Sequence, residues 1–221
     1  MSLGYRSLAE FSGTALLMVV VVVAGLLIGR LGGASSMVAL ASGALIVGGA
    51  GYALLRMLLP VSGAHLNPAV SLFAFTRNTL SARELAAYAG AQLAGAYAGV
   101  LIAHAMLGMP LLQISHRALA GDAVRYGEVA VTTGLLLLLL LVAQRRPRAL
   151  PAAAAAYLAL AFALSASVSL GNPALTLARA ATATFAGIAP ASVPGLLLAQ
   201  LGAVAISVGV LLMLPRSRTN P

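Results

Sequence analysis

Charged positions divide this chain into long apolar stretches. Residues 31–55, 85–116, 149–178 and 180–215 contain no Lys, Arg, Asp or Glu. About 20 apolar residues cross a bilayer as an α-helix. These runs are therefore membrane segments, and some are long enough to hold more than one span. Six full spans fit the pattern, at 8–29, 37–57, 84–107, 124–143, 150–167 and 193–214. The chain reads as an all-α membrane protein, a single transmembrane domain over 1–221. Its first apolar stretch carries Glu10 near its start and no small-residue cleavage site follows, so it reads as a retained helix rather than a signal peptide.

Two segments fit neither a span nor a water-exposed loop. "SGAHLNPAVSL" contains Asn67-Pro68-Ala69, and "SLGNPALTLAR" contains Asn172-Pro173-Ala174. Both lie in apolar surroundings, and 67–76 and 172–181 are each long enough for about half a crossing. Pro68 and Pro173 sit where proline is favoured, in a first helical turn that needs no amide donor. Asn67 and Asn172 then occupy N-cap positions, whose side-chain oxygen accepts a backbone N–H.

The order of features repeats. Glu10 precedes Thr14 in "LAEFSGTALLM" as Glu128 precedes Thr132 in "YGEVAVTTGLL". A second span, a triplet and a third span follow each time, the third containing "AQLAGA" or "AQLGA". Repeats at approximately 1–108 and 122–215 with three spans each must run in opposite directions, because three is odd. Their half-helices then enter from opposite faces and meet, N-termini first, near the midplane. Inverted repeats with broken helices build membrane transport proteins, and irregular backbone at that depth must line a cavity or be buried in protein.

Composition sharpens this reading. The chain is 61% hydrophobic and 8% charged, with a mean hydropathy of +1.02, which excludes a soluble domain. The net charge of +9 comes from arginine alone on the basic side. These arginines are scattered between apolar segments, which suits loop anchors and not a nucleic-acid-binding face. A cytoplasmic N-terminus places Arg6, Arg56, Arg77, Arg83, Arg145, Arg146, Arg148, Arg216 and Arg218 inside, and Arg30, Arg117, Arg125 and Arg179 outside. That asymmetry favours cytoplasmic N- and C-termini. Cysteine is absent, which removes disulfides, thiolate metal sites and thiol chemistry. No histidine–carboxylate spacing suggests a metal site, and no nucleophile–base constellation suggests an enzyme or a cofactor.

Glu10 and Glu128 lie in or near apolar spans, where an ionisable group is a functional candidate by default. They are either proton-coupling carboxylates of a transporter or structural acceptors for backbone amides of the re-entrant loops. His65 reads as a loop-fixing or pore-edge residue, while His104 and His116 show no partner.

With both triplets, "SGAHLNPAV", "AEFSGT" and the three-plus-three order in view, the sequence resembles the aquaporin (major intrinsic protein) family over nearly its whole length. The run "NPALTLARAATATFAGI" is similar to the bacterial branch associated with arsenic-resistance operons. The resemblance implies an aquaporin fold, a homotetramer with one pore per protomer in a bacterial inner membrane, and loop support by Glu10 and Glu128. It also implies that Asn67 and Asn172 project amides into the pore, where half-helix N-termini add positive potential.

Counted along the family pattern, the constriction falls on Val47, Leu160, Ser169 and Leu175. Most of the family has arginine at the last of these positions; leucine supplies neither the charge nor the fixed donors. The expected constriction is wide and mostly apolar. Arg179 lies about 6 Å farther along the helix, and two readings stand. It supplies positive charge at the outer mouth, or it snorkels to the interface. The expected function is a passive channel for neutral solutes: polyols, neutral or methylated arsenic acids, and water. A secondary transporter, a water-selective channel and a closed structural membrane protein are the alternatives.

Overall fold

A computed structural model describes residues 1–32, 36–165 and 167–213. Arg216 and Arg218, and the last residues of the final span and second repeat, lie outside the described residues. Eight α-helices are described: α1 Leu3–Arg30, α2 Met37–Ser62, α3 Pro68–Thr76, α4 Ala82–Met106, α5 Asp122–Arg145, α6 Leu150–Leu164, α7 Pro173–Ala178 and α8 Val193–Met213. Six helical segments have the length and hydropathy to cross a bilayer; α3 and α7 are the two short ones. The face holding the first residues of α1 is the inner face here, and the opposite one the outer.

Side-chain caps start the helices where the sequence places them. Ser2 accepts from Tyr5 N, Ser36 from Ala39 N, and Ser81 forms a capping box with Glu84. Asn67 accepts from Ala69 N at 2.8 Å, and Asn172 from Ala174 N at 3.1 Å and Leu175 N at 3.3 Å. Each asparagine fills its cap and is followed by proline in the first turn.

Three of the boundaries that differ from expectation bear on the site. α2 continues through Pro60 to Ser62, and Gly63 closes it in the left-handed conformation at φ 87°. The helix α6 stops at Leu164, because Ser165 turns extended and its Oγ accepts the amide of Ser169 at 2.6 Å. α7 is helical only to Ala178, and a 3₁₀ turn at Arg179–Ala181 follows.

Around the bundle α1 packs on α4 and α2, α2 on α6, and α5 on α6 and α8. Glycine sets the closest approach: a Cβ at Gly95 or Gly99 of α4 would collide with the backbone oxygens of Phe11 and Ala15 on α1. Small residues permit this contact between apolar helices. Outward faces carry Met37, Leu45, Leu164 and Met213, large apolar side chains exposed by the fold and suited to lipid. The short helices α3 and α7 rest on α4 and α8 and touch each other.

Candidate functional site

The site forms where α3 and α7 begin. With its oxygen occupied in the cap, each asparagine side chain has only its amide to offer. Asn67 Nδ2 donates to the Gly171 carbonyl at 2.9 Å, and Asn172 Nδ2 donates to the Leu66 carbonyl at 2.7 Å. The two loops thus grip each other reciprocally, and each amide keeps a second N–H. Backbone geometry makes this possible: Leu66 and Gly171, each just before its asparagine, are left-handed at φ 50° and 58°. Glycine adopts this freely; leucine does so at a cost of about 1–2 kcal/mol. At Gly171 a Cβ would also stand 2.9 Å from Thr132 Oγ1 and 3.0 Å from its Cα.

Both asparagines line a cavity of about 210 Å³ that extends toward the inner face, past Leu54, Leu136 and Leu158, to Arg77 and Thr79. His65 also lines it, with Nδ1 3.0 Å from Ser71 Oγ and its ring edge-on to Tyr88. Its wall is otherwise mainly leucine and alanine.

Behind the loops stand the two carboxylates, both fully buried. Glu10 accepts from Ser62 Oγ (2.6 Å), His65 N (3.0 Å), Leu66 N (2.6 Å) and Gln92 Nε2 (2.8 Å). Glu128 accepts from Ser167 Oγ (2.6 Å), Ser169 Oγ (2.7 Å) and Gln200 Nε2 (2.9 Å). Each glutamine reaches on to the short helix, Gln92 to Ser71 Oγ and Gln200 to Thr176 Oγ1. Carboxylate, serine and glutamine therefore form one bracket per repeat, tying the loop and half-helix to two long helices.

The sequence profile of the Major intrinsic protein family matches residues 2–171. The aquaglyceroporin AqpS of Rhizobium meliloti (strain 1021) is 39% identical over 200 residues, covering 90% of this chain and 85% of that protein. The chain belongs to the major intrinsic protein family. It is an integral membrane channel protein for small neutral solutes and not an enzyme. The X-ray structure of the aquaglyceroporin from Plasmodium falciparum has the same fold, with a TM-score of 0.64, 20% identity, and 91% of this chain and 83% of that one covered.

The positions at which the sequence places the constriction of this major intrinsic protein are mostly buried. Val47 and Leu175, the latter 2% exposed, join one apolar cluster with Phe162 and Ala178. Val47, Ser169 and Leu175 are all buried, so the structure shows no wide opening at these positions. Ser169 is committed to Glu128 through its hydroxyl proton, and its oxygen accepts from Gly171 N at 2.9 Å. Leu160 is not at the constriction. It is 59% exposed and lines an outward groove with Gly127, Tyr157 and Leu164. Counting back from Asn172 crosses the irregular stretch after Leu164, where helical phase is lost, and the inward face of α6 carries Ala154, Leu158 and Phe162 instead.

Arg179 does not snorkel. Its side chain is buried and its guanidinium donates to three backbone carbonyls: Ala186, Ser167 at 2.6 Å and Val168 at 3.4 Å. Ser167 therefore gives its hydroxyl to Glu128 and its carbonyl to Arg179. Ser62 repeats this on the inner side, giving its hydroxyl to Glu10 and its carbonyl to Tyr88 Oη at 2.7 Å, which accepts from Arg6 Nε at 2.8 Å. Arg6 also pairs with Glu84. His104, without a visible partner in the sequence, is buried between the Leu111 carbonyl (2.9 Å) and Thr182 Oγ1 (3.0 Å), joining two outer loops.

Several of these participants were missed in the sequence. Gln92 and Gln200 stood at matching places in the repeated "AQL" segments, which is a usable signal. Ser62, Tyr88 and Phe162 gave none.

Proposed function

We propose that this chain is a passive channel for neutral solutes bulkier than water: glycerol-like polyols and neutral or methylated arsenic acids, with water passing alongside. The observation that carries this reading is the pair of cross-linked asparagines at the end of an otherwise apolar cavity. Their oxygens are used in capping, so the pair presents N–H groups only. Two half-helix N-termini add positive potential at the same place. A hydroxylated neutral molecule is accepted there through its oxygen, and a cation is repelled. Apolar walls suit the carbon skeleton of a polyol.

The buried carboxylates support a channel over a proton-coupled transporter. Every oxygen of Glu10 and Glu128 accepts from groups that fix loops, and neither residue lines the cavity. In this reading 1–108 and 122–215 are inverted repeats of one domain. The protein works as a homotetramer in a bacterial inner membrane, with the inner face cytoplasmic. Positively charged Arg6, Arg77, Arg145, Arg146 and Arg148 on that side support the orientation.

The test is stopped-flow light scattering on proteoliposomes with water, glycerol, urea and arsenite. Facilitated, non-saturating glycerol and arsenite flux that ignores imposed proton or sodium gradients is expected. Flux that follows such a gradient indicates a transporter; swelling with water alone indicates a water-selective channel.

A further inference from the structure

With Leu160 facing outward, the α6 wall of the outer half-pore is left to another side chain. Phe162 fills it. Its ring has no exposed surface and joins Val47, Leu175 and Ala178 in one apolar cluster. A Cβ on Gly43 of α2 would stand 2.9 Å from Phe162 Cε1 and equally close to Ile28 Cδ1 of α1. Since α6 packs along α2 and α2 along α1, a ring from α6 meets an α1 side chain here by passing over the glycine face of α2. That face is continuous with the cavity: Val47 is one turn beyond Gly43, and Gly51, a turn farther, lines the cavity wall. The ring thus lies beside the α2 face that lines the cavity, two turns farther toward the outer side than Gly51.

We propose that Phe162 sets the size limit of the outer half-pore, with Gly43 as the notch that seats its ring. The inference rests on the channel reading above. A phenyl ring gives a hydroxylated solute no donor or acceptor, so it acts by bulk. To pass, a solute needs the ring to rotate off its seat, and the widest solute is the one that the turned ring still admits.

Four variants test this in proteoliposomes, with swelling measured for water, glycerol, and straight-chain polyols of increasing length. Phe162→Ala is expected to raise glycerol permeability several-fold and to admit longer polyols that the parent chain excludes. Gly43→Ala, which adds a methyl against the ring, is expected to lower glycerol flux and shorten the longest polyol admitted. Phe162→Leu should fall between the parent and Phe162→Ala. Leu160→Ala should match the parent in every solute, because that side chain faces outward. Identical permeability and size limits for Phe162→Ala and the parent, with both folded by circular dichroism, would overturn the proposal. If Phe162→Ala does not fold, Phe162→Leu and Gly43→Ala must still shift the limit in opposite directions, and a common limit overturns it. A parent chain that passes no polyol defeats the channel reading itself, an outcome distinct from an unchanged size limit.

Discussion

Replacing each buried glutamate by glutamine separates two brackets that look alike. Glu10 holds two backbone amides, those of His65 and Leu66, besides the Ser62 hydroxyl and the Gln92 amide. Among the described residues Glu128 holds no backbone amide, only the hydroxyls of Ser167 and Ser169 and the amide of Gln200. A hydroxyl can rotate and accept where it once donated; a backbone N–H cannot. In Glu128→Gln the new –NH₂ takes the Oε1 place and donates to Ser167 Oγ, while the remaining oxygen keeps Ser169 and Gln200. In Glu10→Gln either placement points –NH₂ at a backbone N–H, His65 on one side or Leu66 on the other. One buried donor is orphaned, at about 1–3 kcal/mol. With roughly 2–4 °C per kcal/mol for a chain of this size, Glu10→Gln should melt roughly 2–12 °C below Glu128→Gln. Far-UV circular dichroism melts in one detergent measure the difference. A Glu128→Gln protein that melts at or below Glu10→Gln refutes the distinction between the two donor sets.

Leu175→Arg should cut glycerol flux more than water flux, because it puts a bulky, solvated group into the closed apolar cluster; an equal loss for both in stopped-flow swelling places position 175 outside the constriction. Flux should resist mercurial reagents, since the chain has no cysteine; inhibition that a thiol reverses contradicts this. Gly171→Ala should destabilise by more than the about 1 kcal/mol of a left-handed alanine, because its Cβ also meets Thr132; a melting temperature equal to the parent's shows that the loop can move away. Arg179→Ala strips donors from three buried carbonyls, each worth about 1–3 kcal/mol, so it should lower the melting temperature sharply; unchanged stability shows that those carbonyls find other partners.

What the sequence made legible was whatever occurred twice. Asn67 and Asn172, Glu10 and Glu128, and the three-plus-three order appear in matching places, and together they specify two loops meeting between opposed halves. Positions that depend on phase across irregular backbone were not legible. The family count that chose Leu160 ran back from Asn172 across the stretch after Leu164, where Ser165 ends α6 by capturing the Ser169 amide. Leu160 then turns outward and Phe162 inward. The serines at 62 and 167 were hidden for a different reason. Each acts through both its hydroxyl and its carbonyl, and no local pattern marks a residue whose value lies in bridging a glutamate to an arginine-anchored group.

In the proposed channel, the two halves of the pore divide the work because the arginine stands one turn beyond position 175. At position 175 a guanidinium belongs to the solute path. At 179 it is drawn beneath the loop, where the Ser167, Val168 and Ala186 carbonyls take its N–H groups. Three of its five donors are thereby used on the backbone. Val47, Leu175 and Phe162 are buried in one apolar cluster, as apolar surfaces are when no polar group holds water between them. On that proposal, charge selection is left to the asparagines and the half-helix starts, which the inner cavity keeps accessible, and size selection falls to the outer half. Moving the arginine by one helical turn thus separates two tasks that a single residue at position 175 would have combined.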